Sequence, residues 1–170
     1  MNQRIELIRK DITRLDVDAI VNAANKSLLG GGGVDGAIHR AAGLYLKKEC
    51  ETLGGAETGE AKLTKGYDLP ASFVIHAVGP VWNGGGNNEK ELLEMAYHNS
   101  LRLAEMNEFE SVAFPNISTG VYHFPKDMAA DIAINTVEDF LDKNDFPKKI
   151  YFVCFDDENY TVYKNKLGLA

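Results

Sequence analysis

Very little in this chain of 170 residues holds it together except a core. Its two cysteines, Cys50 and Cys154, lie far apart, each in an apolar context. That excludes a disulfide framework and reads as two buried thiols in a reducing compartment. No apolar run approaches the ~20 residues that span a bilayer. The stretch Met1-Asn2-Gln3-Arg4-Ile5-Glu6 lacks the apolar core of a secretory signal. The expected location is the cytoplasm. Positive charge is scarce too: the formal net charge is -7, and the lysines and arginines form no stripe. Direct binding to nucleic acid, which draws most of its affinity from neutralised phosphates, is not expected. Nor is there a Walker sequence ending in Lys-Ser or Lys-Thr. A phosphate ligand, if there is one, must be held by backbone N–H groups and helix N-termini.

What remains is an ordinary globular composition, 45% hydrophobic and 25% charged. Three strand–helix units follow one another from residue 73. Phe73 to Val78 reads as a buried strand. The glycine-rich turn Asn83-Gly84-Gly85-Gly86 precedes a helix that Asn88 and Glu91 mark as a capping-box variant. Leu93, Ala96, Tyr97, Leu101 and Ala104 give that helix its apolar face. Ser111 to Phe114 is the next strand, and a helix starting near Pro125 buries Ala130, Ile134, Val137 and Leu141. Tyr151 to Phe155 is a third strand, before a short helix from about Glu158 to Gly168. The first half adds strands at Ile5–Ile8 and Ala19–Asn22, a helix from about Val34 to Cys50, and a short strand near Ala61–Leu63. No linker or repeat divides the chain, so residues 1–170 read as one α/β domain with a covered sheet.

The densest chemical signal runs from Asn22 to Gly36. Four successive glycines, Gly30 to Gly33, feed a helix, so the backbone can approach a ligand and aim several N–H groups at it. Gly31, Gly33 and Gly36 match Gly-x-Gly-x-x-Gly by spacing alone. A nicotinamide fold wants the first glycine directly after a strand and an acidic residue closing a second strand about 20 residues on. Neither holds here, since Glu51-Thr52-Leu53-Gly54-Gly55 is not strand-like. A second loop, Asn116 to Phe124, also joins strand to helix and carries hydroxyls, a glycine and an aromatic ring. Two such loops at neighbouring strand ends suit a diphosphate.

These residues resemble the macrodomains, and within them the MacroD-type hydrolases that include bacterial O-acetyl-ADP-ribose deacetylases. The resemblance is carried by Asp11-Ile12-Thr13, Val17 to Asn25, Leu28 to His39, Val78-Gly79-Pro80 and Ser118-Thr119-Gly120-Val121-Tyr122, and covers nearly the whole chain. It implies a three-layer α/β/α sandwich around a mixed sheet. It implies too that Asp11 accepts from the adenine amino group and that the Ile12 backbone contacts the same base. Gly31, Gly32, Gly33 and Val34 would approach the diphosphate and distal ribose, and Asn22 would join the substrate contacts. Ser118, Thr119, Gly120, Val121 and Tyr122 would close over the other phosphate. Asn25 would orient ribose hydroxyls, Asp35 would be catalytic, and Phe155 is offered by position for stacking on adenine. The chain departs from the pattern at Lys10, Asn116 and His123-Phe124.

Asp35 has a bland explanation as an acid in a helix's first turn, worth about 0.3–1 kcal/mol, and Asn25 as a turn residue. Both flank one glycine loop, and that pairing favours catalysis. The expected reaction is water attack on an ester of the distal ribose, in O-acetyl-ADP-ribose or in mono-ADP-ribosylated acidic side chains. Neither cofactor nor metal is expected: His39, His76, His98 and His123 show no ligand spacing, and His76 reads as a satisfied core residue. The partners expected are ADP-ribose, its esters and ADP-ribosylated proteins. A non-catalytic ADP-ribose reader is the alternative, as is a regulator that contacts an RNA-processing enzyme, as suggested for some relatives.

Overall fold

In the computed structural model, which describes residues 2–169, near-continuous apolar runs in the central strands bury both faces of the sheet. Strands β1 (Ile5–Ile8), β2 (Ala19–Ala24), β3 (Ala61–Lys65), β4 (Phe73–Val78), β5 (Ser111–Phe114) and β6 (Lys149–Val153) form one sheet in the order β1-β6-β5-β2-β4-β3. Only β3 runs antiparallel, against β4. The sheet is therefore mixed, as expected, with helices on both faces. Successive residues of each strand point to opposite sides. On one face Ile20, Val74, Val78, Ala113 and Val153 pack with Ile38, Ala42, Leu46 and Cys50. These come from α1 (Gly33–Ala42) and α2 (Leu44–Glu51). On the other face Val21, Ile75, Val112, Phe114 and Phe152 meet α3 (Glu89–Met106), α4 (Lys126–Lys143) and α5 (Asp157–Lys166).

Three expectations need correction. The helix expected from Val34 to Cys50 is two helices, broken at Gly43, whose φ of 87° is open to glycine and strained for other residues. The last strand begins at Lys149 and ends at Val153, so Phe155 lies beyond it. The capping box at Asn88 does not form: Asn88 sits in the left-handed region and makes no side-chain cap. Glu89 does the work instead. Its buried carboxylate accepts N–H groups from Asn83, Gly85 and Asn87 at 2.7, 3.0 and 2.6 Å. Those backbone donors, Asn83 foremost, hold its pKa below the ordinary glutamate value.

Five strands are parallel, so their C-terminal ends share one edge of the sheet. The loops after β1, β6, β5, β2 and β4 line it in that order. This is where α/β sheets take ligands.

Candidate active site

All the predicted site residues but Asn22, which is buried within β2, stand on this edge. Asp11 and Ile12 follow β1, Phe155 follows β6, Ser118 to Tyr122 follow β5, and Asn25 to Asp35 follow β2. The loops are also tied together across strands, since Trp82 N–H donates to the Tyr122 carbonyl at 2.8 Å.

The glycine loop presents its backbone. Gly32 caps α1 without any side-chain bond, so the first-turn N–H groups are left to the crevice. Among the described residues, the N–H groups of Gly31, Gly32, Gly33 and Val34 find no acceptor. Asn25 fixes the loop from beneath: its Oδ1 accepts from the Ser27 hydroxyl and Leu28 N–H, and its Nδ2 donates to the Gly30 carbonyl at 3.0 Å. The 118–122 loop is built alike. Ser118 takes φ 67°, its carbonyl accepts from Phe124 N–H, and the N–H groups of residues 118 to 122 are unpaired among the described residues. Its buried Oγ, also without a partner, lies against Gly79, where a Cβ would come within 2.2 Å. Toward the far end, Asp11 Oδ1 is taken by the hydroxyl and N–H of Thr13, which draw its pKa down, while Oδ2 lies 3.7 Å from Arg14 Nε. Phe155 is 85% exposed, a bare ring beside the β1 end.

Asp35 sits in the first turn of α1 and is only 4% exposed. Its Oδ1 accepts from Asn22 Nδ2 at 2.9 Å, and His39 Nε2 lies 3.5 Å from the same oxygen. Oδ2 lies beneath Gly31, where a Cβ would approach to 3.1 Å. Burial raises the carboxyl's pKa, against the pull of the Asn22 donor and of His39. Burial lowers His39, so at neutral pH its contact with Asp35 joins a carboxylate to a neutral ring. One carboxylate oxygen is held and the other faces the glycine loop.

Asn22, expected among the substrate contacts, has no exposed surface and serves Asp35 from below. The same Nδ2 stands 3.2 Å from His76 Nδ1. An amide nitrogen only donates, so Nδ1 accepts and the ring proton resides on Nε2. That nitrogen is 2.9 Å from Thr64 Oγ1, whose hydroxyl passes on to the Lys65 carbonyl. His76 is thus the satisfied core histidine the sequence suggests. Burial drives its pKa to about 3. In the unfolded chain it titrates near 6.5. Its contribution to stability is therefore complete above 6.5 and is lost as pH falls toward 3. At pH 5 the loss amounts to about 2 kcal/mol. His76→Gln should shrink the stability drop between pH 7.5 and pH 5, measured by urea unfolding, by about that amount. An unchanged drop would mean the ring is not buried neutral.

Sequence spacing missed one convergence: His39, Cys50 and His76, scattered along the chain, meet behind Asp35.

Residues 21–133 match the family model described as Macro domain. The chain belongs to the macrodomain family. A macro domain-containing protein of Mesorhizobium japonicum is 58% identical over 160 residues, covering 94% of this chain and 91% of that protein. An O-acetyl-ADP-ribose deacetylase of Cronobacter turicensis is 54% identical over 172 residues, covering 99% and 98%. Among solved structures, a point mutant of the Oceanobacillus iheyensis macrodomain with ADPR aligns at TM-score 0.93 and 44% identity, over 96% of this chain and 91% of that one. The Trypanosoma brucei macrodomain in complex with ADP-ribose aligns at 0.92 and 44%, over 98% and 70%. The α/β architecture of this macrodomain is that of its relatives, and relatives named as deacetylases fit a hydrolase. Among the described residues no helix is long and apolar enough to cross a membrane.

Proposed function

We propose that this macrodomain binds ADP-ribose along the sheet edge and hydrolyses esters on its distal ribose, as a cytoplasmic enzyme that needs no metal. The strand order supports the binding mode. From β1 to β2 the edge offers first Asp11, Ile12 and Phe155 for adenine, then Ser118 to Tyr122 for one phosphate. Last come Gly31 to Val34, Asn25 and Asp35 for the other phosphate and the distal ribose. The span is three inter-strand spacings, about 14 Å. Unpaired N–H groups on two loops suit the diphosphate without lysines, in keeping with the net charge.

The observation that carries the hydrolase reading is the half-held, buried Asp35 carboxylate. Its free oxygen accepts a proton from water as that water attacks the ester carbonyl. The ester C–O bond then breaks, releasing acetate, or an acidic side chain, and ADP-ribose. Raising the carboxyl toward the working pH makes it a better base. A pure reader has no use for such a group. The test is acetate release from O-acetyl-ADP-ribose and release of ADP-ribose from a glutamate-modified protein, each with and without a chelator. Turnover of both, unchanged by the chelator, is expected. Tight ADP-ribose binding with neither ester consumed would make the protein a reader.

A further inference from the structure

The fold gathers three side chains, from α1, α2 and β4, behind the Asp35 carboxylate. A ring nitrogen of His39, Cys50 Sγ and a ring nitrogen of His76 lie within 4.8 Å of one another. The sulfur stands 3.8 Å from the His76 nitrogen. A tetrahedral zinc ion, bonded at about 2.3 Å to sulfur and 2.0–2.1 Å to nitrogen, spans an S···N edge of roughly 3.5 Å. That pair is a few tenths of an ångström from zinc geometry, and a ring nitrogen of His39 lies within 4.8 Å of both. His39 Nε2 is buried and has no hydrogen-bond partner among the described residues, a condition a ligand relieves. A route exists as well: a cavity of about 500 Å³ lined by Lys26, Ser27, Leu29, Gly54 and Gly55 backs onto Cys50.

We propose that His39, Cys50 and His76 form a reversible zinc site that switches Asp35 off. Three protein ligands leave a fourth position for water, the pattern of an exchangeable site rather than a closed structural one. The coupling follows from proton positions. Zinc takes the Nε2 lone pair of His76, so the neutral ring must carry its proton on Nδ1. Nδ1 now faces Asn22 Nδ2, itself a donor, at 3.2 Å. Two donors cannot share that contact. The acceptor at hand is Asn22 Oδ1, which is buried and unpartnered among the described residues. The amide must turn to present it, and Asp35 Oδ1 then faces an oxygen where it had a donor. The carboxylate is pushed from its place, which removes the base. Thr64 loses the Nε2 proton but keeps its bond to the Lys65 carbonyl. Binding replaces the thiol proton of Cys50 and so releases one proton. Burial holds that thiol up at about 11, so zinc binds more tightly as pH rises through the working range.

The switching rests on Asp35 being the catalytic base; the metal binding does not. The experiment is therefore read first without activity. Zinc chloride is titrated by calorimetry in two buffers of different ionisation enthalpy, and cobalt(II) by absorbance, on the native protein, Cys50→Ala and Cys50→Ser. One zinc per chain is expected, with release of about one proton, and a thiolate-to-cobalt charge-transfer band. Both variants should lose the band and bind zinc more weakly by at least the roughly 10–100-fold that removal of an outer partner already produces. Without zinc they should turn over the acetyl ester at the native rate. With zinc, only the native protein should lose most of its turnover, and a chelator should restore it. Absence of binding, or equal binding by both variants, overturns the site. Zinc bound with turnover intact overturns the switch. If the variants fail to fold, the cobalt band of the native protein decides whether Cys50 is a ligand. If the native protein has no esterase activity, proton release and that band still judge the site.

Discussion

Asp35→Ala should lower kcat on O-acetyl-ADP-ribose by about 10²–10⁴-fold, the range typical of a lost general base, while ADP-ribose affinity stays within a few-fold of native. The ligand's phosphates are assigned to backbone donors and its adenine to the far end of the edge, so little binding depends on this side chain. The native pH profile should carry an acid limb above the ordinary carboxylate range, because burial raises Asp35 and an unprotonated carboxylate is what acts. The same shift has a consequence for stability. The folded state holds this proton more tightly than the unfolded chain does, so the contribution of Asp35 is greatest in acid and is lost as pH rises past the ordinary carboxylate value. At neutral pH the native carboxylate is thus a burden on the fold. The variant removes that burden but leaves one of the two Asn22 amide hydrogens without its acceptor, the other keeping His76 Nδ1, a defect of about 1–3 kcal/mol. The two oppose each other, and thermal unfolding should show a small net change. Native turnover in a folded variant that still binds ADP-ribose would take Asp35 out of the chemistry.

Gly36→Ala should weaken ADP-ribose binding about 5–150-fold while leaving the helices in place. Two effects compete. Alanine is favoured over glycine inside a helix by about 1 kcal/mol. A Cβ at Gly36, however, would lie 2.5 Å from the Gly31 carbonyl oxygen, a backbone atom that cannot swing aside alone. Overpacking of this kind is worth typically 1–3 kcal/mol, so the clash prevails and is relieved by moving Gly31, together with the N–H groups beside it. Gly32→Ala is the control for stability, since a Cβ there meets nothing within 4 Å and its φ of -94° suits any residue. Calorimetry with ADP-ribose reads both variants. Native affinity in Gly36→Ala would mean that the loop position does not set binding.

Much of this could be read from the chain because local and global signals agree. The strands Ile5–Ile8, Phe73–Val78 and Ser111–Phe114 stand where their apolar runs place them. The α1–α2 break escaped for a specific reason. Ile38, Ala42, Leu46 and Cys50 keep a spacing of four straight across Gly43, and all four are buried on one face. Periodicity cannot show a turn that leaves the buried stripe in register. The start of β6 is hidden because Lys148 and Lys149 precede Ile150, so the strand's first residue carries a charge. At the site, the glycine loop and Asp35 were visible because they are contiguous. The arrangement behind them was not. Asn22, Cys50, Thr64 and His76 come from separate elements, and their hydrogen bonds are made only by strand pairing and helix packing. Asn22 read as a ligand contact because its neighbour Asn25 is on the surface side of the same loop entrance. Burial alone distinguishes them.

The chain carries two glycine-rich loops at this sheet edge, and composition alone would make both of them phosphate cradles. Residues 83–87 are not one. The Glu89 carboxylate already occupies three of that loop's N–H groups, so the protein supplies an anion of its own there. A phosphate arriving at that loop meets a filled seat and a negative charge. The loop at Gly30–Gly33 has no such tenant. One glutamate thus leaves only one of two similar loops with N–H groups free for the ligand we propose, and the polarity we propose for it along the edge is in keeping with that.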